Sequence, residues 1–338
     1  MEAKTMTNST VSKKALFRSD ATQKLLAFGS LIILFIVFSV ASPNFAKFDN
    51  IVSIMLSTAV NGVLALGVTF VIITSGIDLS IGTVMTFSSV MAGVFISYWK
   101  LPLPVGILAA IVTGAVCGLV NGLAIARMKI PPFIATLGMM MVTKGLSLVI
   151  SGTKPIYFTD TSASTEVKKF AFQDISMGNL IPGLGIPNAV LIFFAVALVA
   201  SLILSKTILG RYNFAIGSNE EATRLSGVNV NRWKVAIYAL CGVFSGIAGI
   251  LMASRLNSAQ PALGQGYELE AIAAVVIGGT SLSGGEGTIL GTVIGAFIMS
   301  VLTNGLRILS VPQEWQTVII GIVVIGAVYA DIIRRRKK

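Results

Sequence analysis

The 338 residues include no histidine, so the usual metal ligand and the usual general base are both missing. Two stretches still carry residues at spacings that invite a chemical reading. The first is Leu282-Ser283-Gly284-Gly285-Glu286, one letter from LSGGQ, a signature of ATP hydrolysis. A nucleotide site also needs a phosphate-cradling loop, G-x-x-x-x-G-K-[ST], whose backbone N–H groups and lysine hold the phosphates. The chain has no Gly-Lys dipeptide. No ATP site is therefore expected, and 282–286 reads as a tight turn in which Gly284, Gly285 and Gly287 allow backbone shapes that larger residues resist. The second stretch is TSGIDLSIG, residues 74–82, where Asp78 sits beside an apolar run. An acid inside a bilayer is costly, so Asp78 either fixes a broken helix or lines a pathway, or it caps the helix that follows. No catalytic residue, metal or cofactor is expected.

Five other polar residues interrupt apolar runs: Asn61, Thr69, Asn121, Thr136 and Asn304. They fit a hydrated path for a polar solute, and they fit equally as hydrogen-bonding glue between helices. No acid–base pair or charged relay appears among them, which argues against an ion-coupled secondary transporter, the main alternative. An intramembrane enzyme lacks paired carboxylates within a span or a serine–base arrangement. Met139-Met140-Met141 reads as packing.

The elements that must position these residues follow from composition. Hydrophobic residues make up 54% of the chain and charged residues 12%, about half the charged share of a soluble domain. Apolar runs long enough to cross a bilayer as helices recur at about 25–41, 51–74, 81–98, 104–127, 133–150, 188–206, 232–254, 267–282, 288–306 and 316–333. They are continuous, without the ten-residue alternation of a β-barrel. The expected fold is all-α, a polytopic membrane bundle of about ten transmembrane helices. The 267–282 run is short and ends in glycines, so it reads as tilted or partly re-entrant. Residues 1–22 read as a disordered cytoplasmic tail, 23–333 as the membrane domain and 334–338 as a basic cytoplasmic tail. The first run resembles a signal peptide but is longer than a usual apolar core and is read as uncleaved.

Net charge is +11. The basic residues gather in tails and loops, which makes nucleic acid an unneeded partner. They concentrate before residue 25, at Arg127 and Lys129, between Lys206 and Lys234, and after residue 333. By the positive-inside rule both termini and 206–234 face the cytoplasm, and 151–187 faces outside. Cys117 and Cys241 lie in apolar runs and read as buried thiols. A weak repeat relates VIITSGIDLSIGTV (71–84) to VVIGGTSLSGGEGTI (275–289). In each, an apolar run meets a Gly/Ser/Thr-rich break and a new run opens after Gly-Thr. Such duplication is common in transporters.

The loop 207–231 contains Ser218-Asn219-Glu220-Glu221, a capping-box pattern, followed by Ala222, Thr223, Arg224, Leu225 and the terminator Gly227. This predicts a helix of about two turns, too short to stand alone, that docks on its own membrane domain or on a partner. EATRLSG (221–227) resembles the cytoplasmic EAA-type loop of ABC importer permeases, with Thr223 in place of a frequent alanine. ITSGIDLS (73–80), FIATLGMM (133–140), GRYNFAIGSNEEATRLSGVNV (210–230) and SAQPALGQGYELEAIAAVVIGGTSLSGGEGT (258–288) are similar to permeases of ribose-type sugar importers. The resemblance runs from about residue 25 to the end. It implies a membrane-spanning permease in the bacterial inner membrane that moves a monosaccharide. Ribose is favoured over xylose, galactose-type sugars and autoinducer-2. The implied partners are a second copy of the permease, an ATP-binding subunit docked on Ser218, Glu220, Glu221, Ala222, Arg224, Leu225 and Gly227, and an extracytoplasmic sugar-binding protein.

Overall fold

The computed structural model describes residues 20–158, 172–181, 183 and 185–336. The expected N-terminal tail through residue 19, the middle of the 151–187 segment and the last two lysines lie outside the described residues. Helix α1 spans Asp20–Ala41, α2 Phe48–Ile73, and α3 Ile81–Gly93, which continues as a π-helical turn through Tyr98. Then come α4 (Leu103–Ala126), α5 (Pro132–Ser151), strand β1 (Ile156–Tyr157), α6 (Asp174–Met177), α7 (Asn188–Lys206), α8 (Ile208–Ser218) and α9 (Glu220–Leu225). The chain closes with α10 (Val230–Leu256), strand β2 (Ser258–Ala259), α11 (Tyr267–Ile277), α12 (Ile289–Ile308) and α13 (Gln313–Arg336).

Among the described residues, eight helices are long and apolar enough to cross a membrane. The two other expected spans differ. The apolar part of α1, Leu25–Ala41, is at the lower length limit for a span. α11 is shorter than the 267–282 run. Its eleven residues reach about 16 Å at 1.5 Å per residue, roughly half the hydrocarbon thickness. Residues 278–288, assigned partly to that span by their apolar neighbours, form an irregular turn instead. α13 stays helical to Arg336.

α2 is the hub. Its apolar window is 94% buried, as expected for a helix hydrophobic on all sides, and α10, α12, α11 and α7 pack around it. α4 and α5 form the outer layer with α3, and α13 closes the opposite side against α11 and α12. At the end opposite the 207–229 loop, β1 pairs antiparallel with β2, Ile156 against Ala259 and Tyr157 against Ser258.

The tightest packing joins α4 to α10. A methyl group on Gly114 would overlap the carbonyl oxygen of Gly242, and one on Gly118 would overlap that of Tyr238. Gly122 sits against Val235, 2.7 Å from a built Cβ to its Cα. Small residues every fourth position let two membrane helices approach backbone to backbone and gain van der Waals contact that lipid cannot supply. Gly118→Leu should therefore abolish recovery of folded protein, since a backbone carbonyl cannot move aside. Gly138→Ala, with no atom within 4 Å, should leave the thermal midpoint in detergent unchanged. Size-exclusion profiles and thermal unfolding of the two variants read the difference.

Candidate functional site

A cavity of about 630 Å³ lies between α2, α10, α11, α12 and α13. Its polar lining includes Ser57 and Asn61 of α2, Arg255 of α10, Glu270 of α11, and Ser300, Asn304 and Arg307 of α12. Asn61, 6% exposed, donates through Nδ2 to Glu270 Oε2 at 2.6 Å. Its Oδ1, and the Oδ1 of Asn304, are buried without a partner among the described residues. Buried carbonyls of this kind normally find a donor. Arg255 reaches Ser57 Oγ at 3.4 Å. The arrangement offers donors and acceptors side by side, the mixture that solvates a polyhydroxylated, uncharged solute.

Of the six residues expected along a pathway, Asn61 and Asn304 face this cavity and four do not. Thr69 pairs with Thr292 at 2.8 Å and joins α2 to α12. Thr136 bonds back to Pro132 O within α5. Asn121 Nδ2 donates to Ser80 Oγ at 3.0 Å, and Ser80 Oγ donates to Asp78 Oδ1 at 2.6 Å. Asp78 is 2% exposed and also accepts the Ser80 N–H. It is not the N-cap of α3, a position taken by Ser80; it satisfies the break from two residues upstream, as an Asx turn does. Sequence reading missed Glu270, Arg255 and Arg307. The two arginines lie in the last turns of α10 and α12 and line the cavity. The carboxylates of Glu268-Leu269-Glu270 inside an apolar run were the available signal.

A second feature sits at the end of the bundle that carries α8 and α9. Ile73 O accepts the N–H of Gly285 at 2.9 Å, and Ser75 Oγ donates to Ser283 O at 2.7 Å. A methyl group on Gly217 would overlap Ile73 O and lie 2.6 Å from Gly285 N. The turn holds Gly284 at φ +81° and Gly285 at φ +76°, the left-handed region that favours glycine. The breaks of the two repeats, 74–80 and 278–288, thus touch each other and the last turn of α8. Ser281 Oγ adds a bond to Asp331 Oδ2 of α13 at 3.1 Å.

The short helix after this junction differs from expectation at its start. Ser218 is the last residue of α8, and Asn219 is the N-cap of α9, accepting the Ala222 N–H at 2.9 Å. Asparagine caps as well as serine does, so the cap moved one residue and the Ser218/Glu221 capping box did not form. Glu220 instead bridges Arg224 and Lys234. Thr223 faces inward, while Glu221, Ala222 and Leu225 are exposed, Leu225 at 84%. Gly227 ends the element at φ +88°.

Residues 50–328 match the family model described as "Branched-chain amino acid transport system / permease component". The chain belongs to this permease family. The permease is 40% identical over 326 residues to the ribose import permease protein RbsC of Escherichia coli (strain K12), covering 96% of this chain and 99% of that one. It is 43% identical over 324 residues to RbsC of Bacillus subtilis (strain 168), covering 94% and 96%. It is 38% identical over 278 residues to the fructose import permease protein FrcC of Rhizobium meliloti, covering 82% and 76%. No solved structure matches it. Like these relatives the permease is a transport subunit rather than an enzyme, and a multi-pass protein of the inner membrane.

Replacing Asn304 by Leu should leave the permease folded and remove one acceptor from the cavity. Uptake should fall at least tenfold with an unchanged thermal midpoint. Thr136→Val, outside the cavity, should retain uptake.

Proposed function

We propose that the permease is the membrane-spanning subunit of an ATP-driven importer of a monosaccharide, with ribose as its substrate. The observation that carries the reading is the near-full-length identity with ribose import permeases from distant bacteria. The chemistry of the cavity agrees with it. A pentose presents hydroxyls that both donate and accept, and Asn61 Oδ1, Asn304 Oδ1, Glu270, Arg255 and Arg307 offer both kinds of partner. An ATP-binding subunit supplies the hydrolysis and an extracytoplasmic binding protein delivers the sugar. A second permease copy, facing the open side of the cavity, completes a central path. Both termini and 207–229 are cytoplasmic on this reading.

The α9 helix is the docking element for the ATP-binding subunit. Its exposed Leu225 supplies an apolar contact, Ala222 permits close backbone approach, and Glu220, Glu221, Arg224 and Gly227 fix its rim and end. Ser218 belongs to the junction behind it. Movement of α9 passes through Gly217 to Ile73 and Gly285, and from there to α2, α3, α11 and α12. The LSGGE turn therefore takes part in coupling although it binds no nucleotide.

Reconstitution with the ATP-binding subunit and binding protein in proteoliposomes tests the whole reading. Labelled ribose should accumulate only with ATP inside, and xylose, fructose and galactose should accumulate more slowly. Uptake driven by an ion gradient without the ATP-binding subunit would overturn it in favour of secondary transport. Ala222→Trp should leave a folded permease that no longer co-purifies with the ATP-binding subunit. Asn219→Ala should be milder, costing the helix about 0.5–2 kcal/mol. Ser75→Ala, which removes the hydroxyl bond to Ser283 O at the junction without adding bulk, should keep the subunit bound and its hydrolysis running while uptake falls.

Topology is read by an impermeant thiol reagent on intact cells, in a background lacking Cys117 and Cys241. It should label Leu180→Cys and spare Leu225→Cys.

A further inference from the structure

A second cavity, about 340 Å³, opens between the adjoining ends of α4 and α10, at the same end of the bundle as α9. It is lined by Leu123, Arg127, Asn229, Asn231, Arg232 and Val235. Among the described residues no carboxylate lines it, and Glu220 is already engaged by Arg224 and Lys234. The asparagine oxygens are also engaged. Asn229 Oδ1 accepts the Arg232 N–H at 3.1 Å as the cap of α10, and Asn231 Oδ1 accepts from Lys129 Nζ at 3.1 Å. What predominates for an occupant is donors: two guanidiniums and two amide NH₂ groups. The N-terminus of α10 and the C-terminus of α4 meet here, so their opposite partial charges offset and the two arginines set the sign of the site. A site whose charged groups are all cationic favours an anion, and paired arginines fit phosphate oxygens bidentately.

The α4 helix indicates which anion. Leu108, Val112, Val116 and Leu119 are exposed and recur every third or fourth residue, so they form one stripe. The same stripe continues through Leu123 to Arg127. The other faces of α4 are taken by α10, α3 and α5, and the larger cavity lies across the bundle among α2 and α11–α13. An apolar stripe on the outside of a membrane protein thus runs directly into a cluster of phosphate donors. The general gathering of Lys and Arg at this end explains the charges, but not a cavity that brings two of them together at the foot of an apolar stripe. We infer that the cavity binds the phosphodiester headgroup of an anionic phospholipid, held by Arg127 and Arg232, with an acyl chain along the α4 stripe.

Native mass spectrometry of the purified permease tests this, with dioleoylphosphatidylglycerol and dioleoylphosphatidylcholine as probes. Phosphatidylglycerol should be retained and phosphatidylcholine should not. Replacing both arginines by glutamine should weaken retention roughly thirtyfold, the effect of two near-surface cations, and Arg232→Gln alone roughly fivefold. Arg127→Lys with Arg232→Lys should retain the lipid better than the glutamine pair, and Lys47→Gln at the opposite end should change nothing. Thermal unfolding checks that each variant is folded; if the glutamine pair is not, the single variant carries the test. Inorganic phosphate and glycerol phosphate should compete only in large excess. Equal retention of both lipids, full retention by the glutamine variants, or phosphate binding as tight as the lipid's would each overturn the inference. So would a glutamine pair that keeps its phosphatidylglycerol but loses the ATP-binding subunit, because the cavity would then be a protein contact.

Discussion

Gly114 and Gly118 of α4 meet the α10 backbone at Gly242 and Tyr238 with no side chain between them. In lipid there is no hydrophobic drive to push apolar helices together, so contact must come from shape. Backbone-to-backbone approach supplies it and leaves little freedom to slide. α10 in turn packs on α2 and α3, so the position of the central helix and of both breaks depends on this one seam. The same device recurs at Gly217 against Ile73 and at Gly278 against Gly291. A larger residue at any of these points would separate elements whose polar backbone has no alternative partner.

That last constraint explains the irregular segments. Unravelled backbone survives at membrane depth only where protein satisfies it. Around 74–80 the work is done by Asp78, Ser80, Asn121 and the hydroxyl of Tyr238, which donates to Ile77 O at 3.2 Å. Around 278–288 it is done by Ile73 O, Ser75 and Asp331. The second set includes groups from the first break, so the two halves of the repeat stabilise each other's irregularity. A displacement of one break is felt by the other, and both are in contact with the turn that leads to α9.

Cavity and junction lie at different levels of the same helices. α2 carries Asn61 at its middle and Ile73 at its end, and α11 carries Glu270 in its first turn and runs into the 278–288 turn. A rigid shift of either helix at the junction therefore moves a polar group in the cavity. Mechanical coupling over this distance needs helices that are stiff and a hub that is fully packed, and α2 is both.

Much was legible without coordinates. Continuous apolar runs dictated membrane helices, because only a helix satisfies its own backbone in lipid. The absent Gly-Lys dipeptide showed that the sequence holds no G-x-x-x-x-G-K-[ST] loop, and the break residues at 74–82 and 278–287 stood out by their glycines and serines. The short helix before Gly227 was legible too, though not its cap, since Ser218 and Asn219 cap almost equally well and the choice fell to the junction that draws Ser218 into α8. Hydropathy could not give the length of α11, because Gly278 to Leu282 is apolar enough to continue a span yet bends where Gly285 meets Ile73. Nor could it tell which polar residues meet. Asn61 and Glu270 are 209 positions apart, and Thr69 looked like Asn61 until Thr292 proved to be its partner. A run of sequence fixes what each helix must bury. Which face meets which neighbour is decided only when α2 is surrounded, and that is what sorts glue from cavity lining.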